Sequence, residues 1–320
     1  EFFPVIRFLK KPEENTGSPS GLSHPSNATN LMWDVSDLIE HVAAIFEKPP
    51  LMRDLGIRMT SMQRMLIGLK HLWRNQNMKP EIVSSVSATI CRWVWDRQMF
   101  AMSEWVTHCE EFMQLPEDQK LAVYKASCRS FYRLERYHLT ASIFGRAMMQ
   151  KGLDKRLVLV VTDNVAVDFL STTFDFSYIS DYDQAHIVNM HLPTMKRIFL
   201  EVAKPMIDLQ VTETELVFMM GQLLWHLEGK EGISSETRAI SRSFCAKISN
   251  ELHDYYVYEM KLNNYAERLM RLMGIVRDLE NVMDERQKVL ELARILDIFK
   301  IDIHDAGSRA NKDPASLSDL

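Results

Sequence analysis

From residue 31 onward, apolar positions recur at steps of three, four and seven, with polar residues between them. That is the period of an α-helix with one buried face. Trp33, Val35, Leu38, Ile39, Val42 and Ile45 form one such stripe, and Pro49-Pro50 stops it. Met62, Met65, Leu66, Leu69 and Leu72 form a second. A third helix is predicted to start near Pro80, after a loop over residues 75–79. It would run for roughly 35 residues, well beyond the usual globular helix. Trp105, Phe112 and Leu115 then share a face, and Pro116 bends the chain. Glu117, Asp118 and Gln119 restart a helix that continues through Val123, Phe131 and Leu134, since proline followed by acidic residues is a helix-start signal.

The helical pattern breaks at one place. Residues 156–161 (RLVLVV) and 165–170 (VAVDFL) flank Thr162-Asp163-Asn164, which predicts a β-hairpin and is the only convincing strand signal. A polar loop is expected over residues 177–183. Three helical segments then complete the chain. Thr212 and Glu215 have the spacing of a capping box, opening a helix that runs to about Leu227. After a turn at residues 228–232, Ser234 or Ser235 caps a helix through Ile240, Phe244, Ile248, Leu252 and Tyr255. The last segment runs from Tyr265 toward Phe299. The predicted class is all-α, with one small hairpin.

Composition narrows the picture. Residues 10–30 are rich in Pro, Ser, Gly and Asn and nearly free of apolar side chains. They cannot bury enough surface to offset their ordering entropy, so residues 1–30 read as a hinge or linker. Asn27-Ala28-Thr29 matches a glycosylation sequon by chance. Residues 306–320 read as a disordered tail, which leaves 31–305 as the folded domain. The apolar share of 46% suits one large core, and a net charge of −5 argues against electrostatic binding of nucleic acid by this segment. Cys91, Cys109, Cys128 and Cys245 include no C-x-x-C pair, as expected of reduced thiols without a zinc site. No apolar run approaches the length of a membrane span. A first residue of Glu1 rather than Met suggests a piece of a longer chain.

Catalytic chemistry is hard to find. Phosphate-binding glycine loops, nucleophile elbows, H-E-x-x-H and D-D-x-x-D are all missing from the sequence. His108 and Cys109 are adjacent, so on a helix they diverge and do not share a ligand. Asp181, Asp183, His186 and His191 read as a solvated loop. No metal and no cofactor is expected. Methionine is the outlier, at 20 residues. Met99, Met102, Met113, Met148, Met149, Met219, Met220, Met270 and Met273 lie in helical runs, where flexible thioethers fill core gaps or line an adaptable apolar cavity.

The stretch from Asp96 to Leu139 resembles the signature of nuclear receptor ligand-binding domains, which joins the third helix of that fold to the fourth and fifth. Trp105, Phe112, Leu115, Lys120 and Val123 fit it; Val106, Thr107, Gln119 and Tyr124 depart from it. Three later phrases match in order: T-x-x-E-L at Thr212, Leu252-His253-Asp254-Tyr255-Tyr256, and Arg268-Leu269-Met270-Arg271-Leu272-Met273. The departures are those of a divergent member, most similar to the expanded nematode receptors.

The resemblance implies a three-layer helical sandwich of about a dozen helices, a non-enzymatic role and a nuclear location. It implies a small lipophilic ligand, fatty acid or sterol-like, in a pocket bounded by Val94, Trp95, Gln98, Met99, Cys128, Tyr132, Arg136, His138 and Leu139. Where relatives carry a carboxylate-binding arginine, this chain has Leu139 or His138, depending on the alignment; Arg136 lies nearly on the same face as Leu139 and is a candidate substitute, the alternative being a surface or intrahelical pairing around Glu135. A groove for an amphipathic coregulator helix would involve Thr107, Lys120, Lys125, Asp297, Ile298 and Phe299. Thr107 replaces the usual lysine, and Lys125 is a substitute for it. Dimerisation, with a second copy or another receptor, would use the outer side of the helix carrying Leu269, Leu272, Met273 and Val276. DNA contact would belong to a zinc-finger domain preceding this segment, and no membrane is implied. Two alternatives stay open: a constitutive dimerisation and coregulator-binding module with a filled pocket, and an all-helical lipid or isoprenoid enzyme.

Overall fold

A computed structural model describes residues 31–34, 36–48, 59–151, 156–296, 298–299 and 301–304. In chain order the elements are β1 (Leu31–Asp34), α1 (Ser36–Glu47), α2 (Ser61–Leu72), β2 (Glu81–Ile82), β3 (Ser85–Ser87) and α3 (Ala88–Val106). Next come α4 (Glu110–Met113), α5 (Glu117–Lys151), β4 (Val158–Val160), β5 (Val165–Asp168) and β6 (Thr173–Asp175). The second half holds α6 (Gln184–Ile198), α7 (Lys204–Leu209), α8 (Glu213–Leu224), α9 (Ser235–Asp254), α10 (Ala266–Ile295) and β7 (Ile301–His304). Short π-helical turns follow α6 (Phe199–Ala203) and α9 (Tyr255–Glu259).

The chain forms a helical sandwich threaded by α5, which packs against α1, α3, α7, α8 and α10. Its core gathers Trp105, Phe112, Leu115, Val123, Phe131 and Leu134; the first three meet there from α3, α4 and the segment after α4 rather than from one helical face. Pro116 stands just before α5, as predicted. The main break between α3 and α5 is wider than one bend, because α3 ends at Val106 and the four-residue α4 intervenes.

The capping boxes decide two helix starts. Thr60 accepts from the Gln63 N–H at 3.2 Å, and Gln63 reaches back to the Thr60 N–H at 3.0 Å. Thr212 and Glu215 repeat the arrangement at α8, and Ser234 caps α9. In the turn between α8 and α9, Gly229 and Gly232 take φ values of +72° and +70°, a region open to glycine.

The hairpin forms where predicted, with β4 and β5 antiparallel. One strand, β2, joins its sheet, and two further two-stranded sheets stand apart from it. β2 pairs in parallel with β5, β3 with β6, and β1 with β7. Three expectations are corrected by this. The third helix does not start near Pro80, since residues 81–87 pair with strands far along the sequence and α3 begins only at Ala88. Trp33 belongs to β1, not to the first helix, whose buried face is Leu38, Val42 and Phe46. Residues 184–209, given no helix from sequence, form α6 and α7. Pro193 lies inside α6 and Pro205 at the start of α7, so two N–H donors are lost and the periodic signal is broken. The π turn between them widens the helix just before Pro205. No described helix is long and apolar enough to cross a membrane.

Candidate functional site

The end of α2, the middle of α3, the middle of α5 and the β4–β5 turn border a half-open cavity of about 200 Å³. Val94, Gln98 and Met102 face it from α3, Tyr132, Glu135 and Arg136 from α5, and Asp163 from the turn. The hairpin is held to α3 by Gln98, which donates to the Val161 carbonyl at 2.8 Å, and by Arg97, which pairs with Asp163 at 2.6 Å.

One polar wall of this cavity is a buried ion pair, and Arg74, Arg97, Glu104 and Asp163 add charged groups to the lining. The Arg136 guanidinium donates through Nε and Nη2 to Glu135 at 2.5 and 2.7 Å, and both side chains are almost fully buried. Trp73, just after α2, donates its indole N–H to the same carboxylate. The remaining guanidinium nitrogen, Nη1, has only a 3.4 Å bond to Gln76 Oε1. Burial works against the Arg136 charge, but the Glu135 carboxylate outweighs it and the guanidinium stays fully protonated. Neither charge is available alone, so the wall presents a neutral, hydrogen-bonding face.

The other candidate pocket residues separate. The Trp95 side chain lies outside the described ones. Met99 packs into the main core, and its carbonyl accepts from the Tyr124 hydroxyl at 2.5 Å. Cys128 and Leu139 do not line the cavity. His138 faces a different, open groove of about 590 Å³, shared with Arg146, Met206 and Gln210. Its Nε2–H donates to the Val211 carbonyl at 3.0 Å and its ring stacks on Trp73. Burial holds this histidine below its usual pKa, so it is a neutral ring. An intrahelical pairing of Arg136 around Glu135 is what the sequence suggests and what forms, whereas sequence reasoning missed Trp73 and Gln76. Trp73 is 62 residues from Glu135, and no local pattern carries such a contact.

The candidate groove residues are also dispersed. Thr107 is buried at the end of α3, its hydroxyl donating to the Glu104 carbonyl at 2.7 Å. Lys120 is buried, and its ammonium donates to the Phe46 carbonyl at the end of α1 at 3.2 Å. Lys125 is exposed on α5. Asp297 lies outside the described residues. Ile298 and Phe299 pack toward α6 in a small cluster with Ile187 and Ala293. Ile298 further accepts from the Ser180 hydroxyl at 2.5 Å.

On α10, Leu272 and Val276 are core residues, Leu269 and Met273 half-buried, and Met270 exposed. Met273 and Val276 border a cleft of about 320 Å³ against α9 and the end of α8. His108 is a buried core residue whose ring lies where a Cβ on Gly68 would stand, 2.8 Å away. Burial pushes the Cys109 thiol up to about 12, which makes it an inert core group. Among the described residues no group of His, Cys, Asp and Glu has metal-binding geometry.

The three later phrases singled out in the sequence meet at one point. Glu215 of α8 is fully buried and accepts from Arg268 Nε and Nη2 at 2.5 and 2.7 Å. It also accepts from the Tyr256 hydroxyl at 2.8 Å and the Thr212 N–H at 2.9 Å. Burial pushes this carboxyl up, but Arg268, Thr212 and Tyr256 together hold it below the usual range. The π turn after α9 leaves the Tyr256 side chain fully buried against Glu215.

The architecture is a helical sandwich with one antiparallel hairpin and a half-open cavity beside the Glu135–Arg136 pair. Residues 76–296 match the ligand-binding domain of nuclear hormone receptor, and the chain belongs to that family. The family is non-enzymatic, which sets aside the lipid-enzyme alternative. Similar proteins include the nuclear hormone receptor family members nhr-213 and nhr-54 of Caenorhabditis elegans. The first is 28% identical over 278 residues, covering 86% of this chain and 65% of that protein. The second is 26% identical over 287 residues, covering 87% of this chain and 67% of that protein. The chain thus spans about two thirds of the length of these curated relatives.

Proposed function

We propose that this domain receives a small, neutral, mostly apolar molecule in the cavity between α2, α3, α5 and the hairpin. It would couple that molecule to recruitment of a coregulator helix within a nuclear transcription factor. The observation that carries the ligand class is the Glu135–Arg136 pair: a fatty-acid carboxylate would have to displace Glu135 from the guanidinium. A ligand hydroxyl or carbonyl needs only Arg136 Nη1, whose present bond is long. Coupling would work by population shift, with the ligand favouring whichever arrangement of the groove it binds best. Dimerisation through α10, and DNA binding by a zinc-finger domain outside this segment, complete the proposal.

The constitutive reading keeps one observation in its favour. The cavity of about 200 Å³ lies below the range of about 300–1,000 Å³ typical of ligand pockets. A thermal-shift panel of neutral sterol-like compounds against fatty acids separates the two. Stabilisation by neutral compounds, lost in Arg136→Met, supports ligand reception. No shift with any compound supports the filled, constitutive module. A shift with fatty acids alone would overturn the assignment of a neutral ligand.

A further inference from the structure

We propose that α1 is an internal occupant of the coregulator groove, a segment of this chain seated where a coregulator helix would bind. This rests on the reading of the α3–α5 face as that groove. Three observations point to it. First, α1 lies across α3 and the start of α5, the two elements bearing the signature residues. Second, its contact face, which also includes Leu38, contains a short recognition motif: Val42, Ile45 and Phe46 stand at i, i+3 and i+4, the aliphatic-x-x-apolar-apolar spacing of a helix-in-groove ligand. Val42 and Phe46 are buried, Ile45 is packed against the core, and the Phe46 ring meets Phe112 and Tyr124 edge-on at 5.0 and 5.3 Å.

Third, the C-terminal end of α1 is held as a bound helix would be. Phe46 is the penultimate residue of α1, so its carbonyl is among those at a helix end that have no partner within the helix. Lys120 supplies the missing donor at 3.2 Å, with its positive charge at the negative end of the α1 dipole. A buried lysine spent on one main-chain oxygen of a separate helix is a clamp. It takes the place of the lysine that Thr107 does not provide. A coregulator helix must therefore displace α1, and the partner it fits carries the same spacing, with an aliphatic first and an aromatic or aliphatic last anchor.

Binding of two fluorescent peptides to the full chain tests this: the chain's own residues 36–48, and a generic L-x-x-L-L helix. Each is titrated against the native chain and against Val42→Asp, with Ile45→Glu, at a half-buried position, as the milder variant; circular dichroism and a thermal melt establish folding. The expected result is at least tenfold tighter binding of both peptides once α1 is displaced, and loss of that gain when Lys120→Ala is added. Equal binding of L-x-x-L-L to native and displaced chains would overturn occupancy by α1 while leaving the groove intact. No binding of either peptide to any folded variant would overturn the groove reading as well.

Discussion

Two fully buried glutamates make opposite uses of the same chemistry. Glu215 draws its donors from Thr212, Tyr256 and Arg268, which belong to three different elements: the start of α8, the turn after α9 and α10. Glu135 draws most of its donors from Arg136, the next residue on the same helix, and faces a cavity. The first arrangement ties α8, the end of α9 and α10 together and leaves no oxygen without a partner. The second ties little together beyond the Trp73 contact, and it makes a polar wall without a net charge. A buried ion pair is weak evidence for stability in itself, and what its donors connect decides its role.

Breaking the first pair has the larger effect. Arg268→Met strands a buried carboxylate and should cost about 3–5 kcal/mol in denaturant unfolding. A loss below about 1 kcal/mol would remove the distinction between the two sites. Arg136→Met strands Glu135, but the Trp73 donor stays and the cavity admits water, so about 1–3 kcal/mol is expected. The same variant should abolish any stabilisation by neutral ligands. Glu135→Gln sharpens the contrast: it releases the Arg136 guanidinium, so fatty-acid affinity should rise while that of neutral ligands changes little, read by competition binding.

The smallest effect is on acid stability. The folded Glu215 carboxyl lies below its usual 4.5, so its contribution is present above that value and is lost as pH falls through the depressed one. Buried histidines act in the same direction at higher pH. Burial, with help from Arg286, lowers His191 from 6.5 to about 4, so its contribution is full above 6.5 and is lost on the way down to about 4. Thermal midpoints should fall as pH is lowered from 7.5 to about 3. In Arg268→Met the part of the slope belonging to Glu215 should shrink, and in His191→Gln the part above pH 4 should.

Much of the first site was legible in the sequence. The T-x-x-E capping box is local, the tyrosine pair and the arginine have family spacing, and their meeting explains why those phrases occur together. The cavity was legible only in part. Val94, Gln98, Tyr132 and Arg136 do line it. Yet His138, two residues beyond Arg136, turns elsewhere because two helical steps rotate about 200° around the axis, and Leu139, on nearly the same face as Arg136, stands almost one turn further along α5 and does not line the cavity. The short strands were not legible, since β2 and β3 owe their existence to partners some 80 residues away and carry almost no pattern of their own. The stripe of α1 read as core and is core; that it has the form of a recognition helix emerges from the Lys120–Phe46 bond, which joins residues 74 apart.

Native mass spectrometry of the purified domain, followed by organic extraction, tests the central claim that the Glu135–Arg136 wall serves a ligand and the Glu215–Arg268 lock serves the fold. The account predicts a stoichiometric, neutral, apolar adduct on the native chain that is missing from folded Arg136→Met. A clean mass for the native chain, together with no thermal shift from any compound in the panel, would contradict it and leave a constitutive module with a filled core.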